Sequence, residues 1–160
     1  MEINNEFIKL ANSSKFNLFM LRKLPSAYFS GVRLKSLTVK DCTVTVPFKW
    51  FSQNPFKSTY FACLAMAAEL STGALAMANV FKRKPGISML VVSMEAEYFK
   101  KATGLTSFVC TDGADFTQII NKAVASGEPQ TLAALSEGRN SNGELVARFI
   151  ITWSFKVKSS

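Results

Sequence analysis

The chain has 160 residues, of which 48% are hydrophobic, and it contains no histidine. A chain of this length is expected to form one domain with a substantial core. The absence of an imidazole excludes Ser–His–Asp and Cys–His catalysis and histidine-rich zinc sites. Acid–base chemistry near neutral pH must then come from a carboxylate, Lys, Tyr or Cys group whose pKa is shifted.

The charge and the cysteines narrow the class of protein further. The 19 basic and 11 acidic residues give a net charge of +8, which would attract nucleic acid or another anionic ligand. The basic residues are scattered, and Lys82-Arg83-Lys84 is their main cluster, so a solvated basic surface explains most of the charge. The three cysteines are too widely spaced for a metal knuckle or a disulfide framework. The polar, acidic N-terminus is unlike a signal peptide, so we expect a cytoplasmic protein.

The first sixty residues carry two kinds of periodicity. Apolar residues recur at helical spacing over residues 5–24, which predicts an N-terminal helix that Pro25 ends. From Phe29 the period changes to two, and the Lys40-Asp41 turn between the alternating runs predicts a β-hairpin. Asn54-Pro55 is then a turn or helix-start signal, because Asn can cap free N–H groups and Pro fits the first helical position.

Residues Thr59 to Phe81 form an Ala-rich segment with a single charge, Glu69. The segment is as long as a membrane span, but an acid in mid-bilayer costs at least ~2.5 kcal/mol on insertion scales. Strand patterns that need a soluble sheet also flank it. We therefore predict no membrane span, and a long helix buried by a curved sheet, alone or together with a partner subunit.

The rest of the chain is rich in strands. Asp115 is predicted to cap a small amphipathic helix that Gly127 ends, and Asn142-Gly143 is a strong hairpin signal. Alternation predicts strands over residues 90–99, 105–111, 131–137 and 145–157. We predict one α+β domain over residues 1–160, in which an antiparallel sheet of five or six strands is covered by the long helix.

Glu69 is predicted to lie on a strip of small side chains. At ~100° per residue, the positions nearest to it on the helix surface are Ser58, Ala62, Ala65, Thr72, Gly73 and Ala76. The strip would let a second helix pack closely or leave space for a slender ligand. Two interpretations of Glu69 remain open: a carboxylate paired with Arg or Lys or hydrogen-bonded to Ser and Thr, or a general base whose pKa burial raises.

The segment from Asn54 to Gly73, NPFKSTYFACLAMAAELSTG, resembles the start of the central helix in hot-dog fold proteins. It is most similar to the thioesterase-like branch that includes phenylacetate-pathway acyl-CoA thioesterases. The order hairpin, long helix, antiparallel strands agrees over residues 28–157. The resemblance implies an antiparallel sheet wrapped around a central helix. It also implies a homodimer or a dimer of dimers, with sites formed between two subunits.

The resemblance assigns roles to individual positions. Asn54 matches the loop Asn before the helix, and Ser58 and Thr59 match the helix start that offers backbone N–H groups to a thioester carbonyl. Glu69 matches the mid-helix carboxylate that acts as base or nucleophile. Thr72 and Gly73 match the small residues just after it. Independently of the resemblance, Tyr60, Ala62 and Ala65 are expected to contact the substrate. Lys82, Arg83 and Lys84 are expected either to bind the coenzyme A phosphates or to form a solvated charge run after the helix. The chain departs from active phenylacetate-type relatives at the helix start, where their His-Gly-Gly is replaced by bulkier residues.

We therefore expect an acyl-CoA thioesterase that uses no metal or cofactor beyond the coenzyme A of its substrate. The alternative is a non-catalytic hot-dog dimer that binds an acyl chain or a lipid-like ligand. Nucleic-acid binding on Trp50, Phe51 and Phe56 ranks last, because aromatic residues beside a buried helix are expected in the core, and we predict no nucleic-acid partner. Cys63 is expected to be a packed thiol without a neighbouring base.

Overall fold

The computed structural model describes residues 4–158, which form one antiparallel sheet and five α-helices. A single turn of 3-10 helix at Trp50–Ser52 precedes the longest of these helices. In chain order the elements are α1 Asn5–Ala11, α2 Lys15–Lys23, α3 Pro25–Phe29, β1 Arg33–Leu37, β2 Cys42–Val46, α4 Phe61–Val80, β3 Ile87–Tyr98, β4 Thr106–Cys110, α5 Gly113–Ser126, β5 Gln130–Arg139 and β6 Leu145–Val157.

The single N-terminal helix predicted over residues 5–24 is wrong, because the segment forms α1 and α2 with a corner between them. Asn12, at this corner, donates its side-chain amide to the carbonyl of Leu37 at 2.7 Å and accepts the Leu37 N–H at 2.9 Å. These bonds tie the corner to β1. Pro25 begins α3 instead of only ending a helix, at a position where its missing N–H is not needed.

The six strands have the order β1-β2-β4-β5-β6-β3, and all neighbours are antiparallel. Both predicted hairpins are confirmed, β1–β2 across Lys40-Asp41 and β5–β6 across Asn142-Gly143. Gly143 has φ +78°, a left-handed conformation that glycine adopts without steric cost. Since β3 stands last in this order, one side of this 12-residue strand pairs with β6 and the other side is an edge.

A β-bulge in β3 changes which residues face the helix. The sequence alternation predicts a strand over residues 90–99, and within it the β3–β6 register shifts between Val91 and Ser93. An extra residue reverses the alternation of side chains. Before the bulge, Met89 lies opposite a core residue of β6; after it, Met94 and Tyr98 do. Both halves of β3 therefore present apolar side chains to the helix side.

The central helix α4 packs on one face of the sheet and is buried along most of its length. It begins at Phe61 rather than Thr59, because Tyr60 has an extended backbone with ψ 134°. The N–H groups of Thr59 and Tyr60 bond to carbonyls outside the helix. The helix is long and apolar enough to cross a membrane, but 67% of its most apolar 18-residue window is buried inside the fold. Such burial is typical of the core helix of a soluble protein.

The second long helix, α5, packs between α4 and strands β5 and β6. It begins at Gly113, two residues before the predicted cap Asp115, and ends at Gly127 as predicted, with φ +72°. A Cβ atom at Gly113 would lie 2.3 Å from the carbonyl oxygen of Val39. Glycine at this position therefore lets α5 start directly against the β1–β2 turn.

Candidate active site

Glu69 lies in the middle of α4, where α2 and α3 cover the helix. Within residues 4–158 its carboxylate has no ion-pair partner and accepts no hydrogen bond. Burial raises the pKa of Glu69 above its ordinary value of 4.5, because desolvation disfavours the charged form. Of the two interpretations left open by the sequence, the described residues fit the unpaired carboxylate.

Two cavities meet at Glu69. The inner cavity has a volume of about 280 Å³ and lies between the N-terminal helices, α4 and the sheet. The side cavity has a volume of about 230 Å³ and lies between α4 and the α2–α3 corner. Glu69, Leu70, Lys23 and Leu24 line both of them. A ligand in either cavity would therefore contact the carboxylate.

Gly73 follows Glu69 by one helical turn and leaves room for its carboxylate. A Cβ atom at Gly73 would lie 3.2 Å from Trp153 Cζ2 and 3.3 Å from Glu69 Oε1. The Trp153 indole N–H donates to Thr72 Oγ1 at 2.9 Å, and Thr72 Oγ1 donates to the backbone carbonyl of Glu69 at 3.0 Å. The structure thus brings Glu69, Thr72 and Gly73 together, as the sequence predicts.

Trp153 is a residue of this site that the sequence reasoning missed. The alternation in β6 marks it as inward-facing, but nothing local indicates which turn of α4 it meets. Leu24 and Lys23 were missed for the same reason, since their segment was predicted as part of one straight helix. Contacts between distant segments decide all three positions.

Asn54 organises the loop before α4. Its Oδ1 accepts the N–H groups of Phe56 and Ser58 at 3.0 and 3.3 Å and the Ser58 hydroxyl at 3.2 Å. Its own N–H donates to the carbonyl of Ser58 at 2.9 Å. Asn54 therefore closes the turn that delivers the chain to the helix start.

The N–H groups of Ser58 and Thr59, which are the predicted oxyanion donors, bond to other groups of the chain. The Ser58 N–H donates to Asn54, and the Thr59 N–H donates to the carbonyl of Ala102 at 2.8 Å, so both are occupied. Ser58 also precedes the helix and so is not on the Glu69 face. The first N–H groups of a helix lack intrahelical acceptors. In α4 these belong to Phe61 and Ala62, which have no acceptor among the described residues.

The helix start opens into a third concavity, the entrance groove, with a volume of about 610 Å³. Aromatic rings from three segments line it, including Tyr60, Phe61 and Tyr98, and Lys100 and Lys101 stand beside them. Glu69 is not among its lining residues. Within one chain, the carboxylate and the free N–H groups therefore open into different cavities.

The other predicted substrate contacts have mixed outcomes. Ala62 and Ala65 are half-buried on α4 between its start and Glu69. In the basic cluster, Lys82 pairs with Glu6 at 2.8 Å, and the Arg83 guanidinium donates to Asn121 Oδ1 at 2.6 Å. Lys84 is exposed. Two of the three cations are thus engaged within the chain.

Two further predictions concern side chains outside this site. Trp50, Phe51 and Phe56 are exposed, so their predicted place in the core is wrong. Cys63 is buried as expected. Burial also raises the pKa of the Cys42 and Cys110 thiols, which leaves them protonated and poorly nucleophilic. Glu69 remains the candidate for the reactive group.

A long helix held against an antiparallel sheet, with a half-buried carboxylate at its middle, defines the hot-dog fold. Solved structures share this fold over most of their length. A Pseudomonas aeruginosa protein named as a probable thioesterase is 21% identical, with 99% of each chain covered and a TM-score of 0.75. A Chlorobaculum tepidum protein of unknown function is 13% identical, with 96% and 100% covered and a TM-score of 0.79. A Haemophilus influenzae thioesterase is 14% identical, with 88% and 87% covered and a TM-score of 0.64.

The chain belongs to the DUF4442 family, described as a domain of unknown function, whose family model matches residues 13–155. No curated protein matches the sequence. These solved structures are less than 25% identical to the chain and therefore show its fold alone.

Proposed function

We propose that the protein is an acyl-CoA thioesterase of the cytoplasm, in which Glu69 is the reactive carboxylate. The observation that carries this proposal is a half-buried, unpaired acid that lines two cavities and whose pKa is raised by desolvation. Such groups cluster at functional sites, because an unpaired buried carboxylate is otherwise a cost to the fold. The reaction needs no resident cofactor, since coenzyme A arrives with the substrate.

The proposed reaction has two steps. The Glu69 carboxylate takes a proton from water as the hydroxide adds to the thioester carbonyl. The resulting oxyanion accepts hydrogen bonds from free N–H groups at the start of an α4 helix. The C–S bond then breaks, the thiolate takes the proton from Glu69, and the free acid leaves. Direct attack by Glu69 to give a mixed anhydride, which water then hydrolyses, is the second route. Single-turnover hydrolysis in isotopically labelled water distinguishes them, because only the anhydride route can place label in Glu69.

The proposed enzyme is a homodimer joined along β3. This 12-residue strand is an edge, and Leu90 and Val92 on it are 66% and 52% exposed. A long apolar edge invites pairing with another strand. With two copies of β3 aligned antiparallel over their full length, Met89 would lie opposite the partner's Ala96, and Met94 opposite the partner's Val91. The bulge puts all four on the helix side, so the faces match in this register.

Such a dimer would unite the two halves of the site. The inner cavity includes Met89 near the start of β3, and the entrance groove includes Tyr98 at its end. Antiparallel pairing brings the start of one strand to the end of the other. The inner cavity with Glu69 would then face the entrance groove of the partner, where the free N–H groups of the partner's Phe61 lie.

The same pairing supports a place for the coenzyme A phosphates. Lys84 stands three residues before β3, and Lys100 and Lys101 follow its end. In the dimer, Lys84 would therefore lie near the partner's Lys101. Lys84 and the partner's Lys101 would form one anionic-ligand site, because Lys82, Arg83 and Lys100 have partners within the chain.

The test of the activity is hydrolysis of an acyl-CoA panel, followed by release of free thiol. General acid–base groups contribute about 100- to 10,000-fold, so Glu69→Gln is expected to lose at least 100-fold in kcat. Glu128→Gln, which removes an exposed acid, is the matched control and should keep full activity. Undiminished hydrolysis by folded Glu69→Gln protein would refute the mechanism.

The test of the dimer compares two substitutions of similar exposure. Met94 is 41% exposed on β3 and Val109 is 38% exposed on β4. In sedimentation experiments Met94→Arg should give monomers and lose thiol release, whereas Val109→Arg should stay dimeric and active. A native chain that sediments as a monomer while hydrolysing acyl-CoA would contradict the two-subunit site.

A second candidate function is a non-catalytic hot-dog dimer that binds an acyl chain. The occupied N–H groups of Ser58, Thr59 and Tyr60 favour it, because they leave fewer donors at the helix start. This candidate predicts a melting temperature that rises with fatty acid or acyl-CoA concentration, together with no release of thiol.

A further inference from the structure

The lining of the inner cavity is almost entirely apolar. Phe16 and Phe19 of α2 form one wall, Met77 of α4 another, and Met89 and Trp153 of the sheet a third. Glu69 and Lys23 are its polar lining residues. Nothing else in the lining could recognise a polar group, so the cavity suits a hydrocarbon chain attached to a carbonyl that Glu69 reaches.

The cavity has a direction along α4. Glu69 lines it near the middle of the helix, and Met77 lines it eight residues further toward the C-terminus. At 1.5 Å per residue these two positions are about 12 Å apart along the helix axis. A chain whose carbonyl carbon lies beside Glu69 would therefore extend toward Met77.

The wall made by the N-terminal helices is fastened to the fold at both ends. Next to the start of α1, Asn4 donates its N–H to the carbonyl of Ala78 and its side-chain amide to the carbonyl of Phe81, each at 2.9 Å. At the other end, Asn12 bonds to Leu37 of β1. A wall held in this way fixes the length of the cavity rather than yielding to longer chains.

Two measures of the cavity give the same chain length. A methylene group occupies about the 30 Å³ of a water molecule, so a volume of about 280 Å³ holds about nine such groups. An extended chain advances about 1.25 Å per carbon–carbon bond, so about ten carbons would span the roughly 12 Å between the levels of Glu69 and Met77 on α4. Volume and length agree on eight to ten carbons.

We propose that the inner cavity binds the acyl chain of the substrate, selects unbranched chains of about eight to ten carbons, and is closed at its far end by Met77. This inference rests on the proposed thioester hydrolysis at Glu69. The N-terminal helices, which precede the hairpin and the central helix, then set the substrate class. Each buried methylene is expected to raise kcat/KM about fourfold up to this length, and longer chains lose activity.

The test is the chain-length profile of kcat/KM from butanoyl-CoA to hexadecanoyl-CoA. Met77→Ala should move the optimum to longer chains, and Met77→Phe should move it to shorter ones. Met66→Ala is the matched control, because Met66 lies on the same helix but lines the side cavity. Phe19→Ala enlarges the cavity from the α2 wall and replaces Met77→Ala as the test if that variant does not fold.

The outcomes separate this inference from the proposed function. The inference is refuted if acyl-CoA is hydrolysed but the Met77 and Phe19 variants leave the chain-length optimum unchanged, or if Met66→Ala shifts it. In either case the proposed thioesterase activity is still supported. If no acyl-CoA is hydrolysed, the proposed function fails. The rise in melting temperature with free fatty acids of graded length then tests the cavity by itself, with the same optimum expected and a flat series refuting it.

Discussion

Gly73→Ala is expected to displace the Glu69 carboxylate while changing the stability of the fold only slightly. The substitution adds one methyl group in the interior of α4. Alanine favours a helix over glycine by about 1 kcal/mol. Against this gain, the new Cβ would lie 3.2 Å from Trp153 Cζ2 and 3.3 Å from Glu69 Oε1, so a neighbour must shift by a few tenths of an ångström.

The hydrogen bonds decide which neighbour shifts. Trp153 is held by its indole N–H on Thr72, whereas the Glu69 carboxylate has no partner among the described residues. The carboxylate therefore moves. The contacts of the new Cβ with Cζ2 and Cη2 of the held indole, at 3.2 and 3.3 Å, remain and offset part of the helix gain. We expect a free energy of unfolding within about 1 kcal/mol of the native value.

Catalysis is more sensitive to this shift than stability is. A misplacement of 1 Å can cost about 100-fold in rate, so a shift of a few tenths should cost about tenfold in kcat. Urea unfolding and thiol release measure the two effects. Gly104→Ala is the control, since its Cβ would meet no atom within 4 Å. Unchanged stability together with unchanged hydrolysis in Gly73→Ala would show that the placement of Glu69 does not matter.

Three further predictions follow from the same contacts. Burial raises the pKa of Glu69 in the folded state. Between pH 4.5 and that raised pKa, the folded state therefore binds more protons than the unfolded chain does. The free energy of unfolding then falls as pH rises through this window. Glu69→Gln should therefore resist urea better than the native chain at pH 7 and about equally at pH 4. Equal stability at both pH values would show that the charge on Glu69 does not destabilise the fold. The acid limb of kcat/KM against pH should rise as Glu69 ionises, with a midpoint above 4.5, and a lower midpoint would exclude Glu69 as the titrating group. Gly138→Ala would place a Cβ 2.5 Å from Cζ of the fully buried Phe108. Urea unfolding should therefore show a free energy of unfolding lower by about 1–3 kcal/mol. A smaller loss would mean that the Phe108 ring can move aside.

The sequence predicts the parts of this fold that depend on local patterns. The two hairpins follow from turn residues between alternating runs, and α4 follows from a long Ala-rich segment with one charge. The grouping of Glu69, Thr72 and Gly73 follows from helix geometry alone. Each of these depends on residues within a few positions of one another.

The errors occur where distant segments decide the structure. Asn12 ends α1 because Leu37, 25 residues away, offers both of its backbone groups. Thr59 lies outside α4 and is tied to a distant segment, since both its N–H and its hydroxyl donate to the carbonyl of Ala102. The bulge that turns Met94 toward the helix side lies in the register with β6. No local pattern carries this information, so the donor groups and the N-terminal wall could not be placed from sequence.

Because the chain has no histidine, the proposed enzyme also depends on its N-terminal helices for the basicity of Glu69. A carboxylate serves as a base near neutral pH only if its pKa rises, and for Glu69 the cause of the rise is desolvation. The segments that exclude water from Glu69 include α2 and the α2–α3 corner, and α2 also closes the inner cavity. One wall would thus set both the basicity of Glu69 and the length of its acyl chain. An opening of that wall, as in Phe19→Ala, should then lower the midpoint of the acid limb toward 4.5 while it lengthens the preferred chain. A change in chain length with an unmoved midpoint would mean that α3 and α4 alone keep water from the carboxylate.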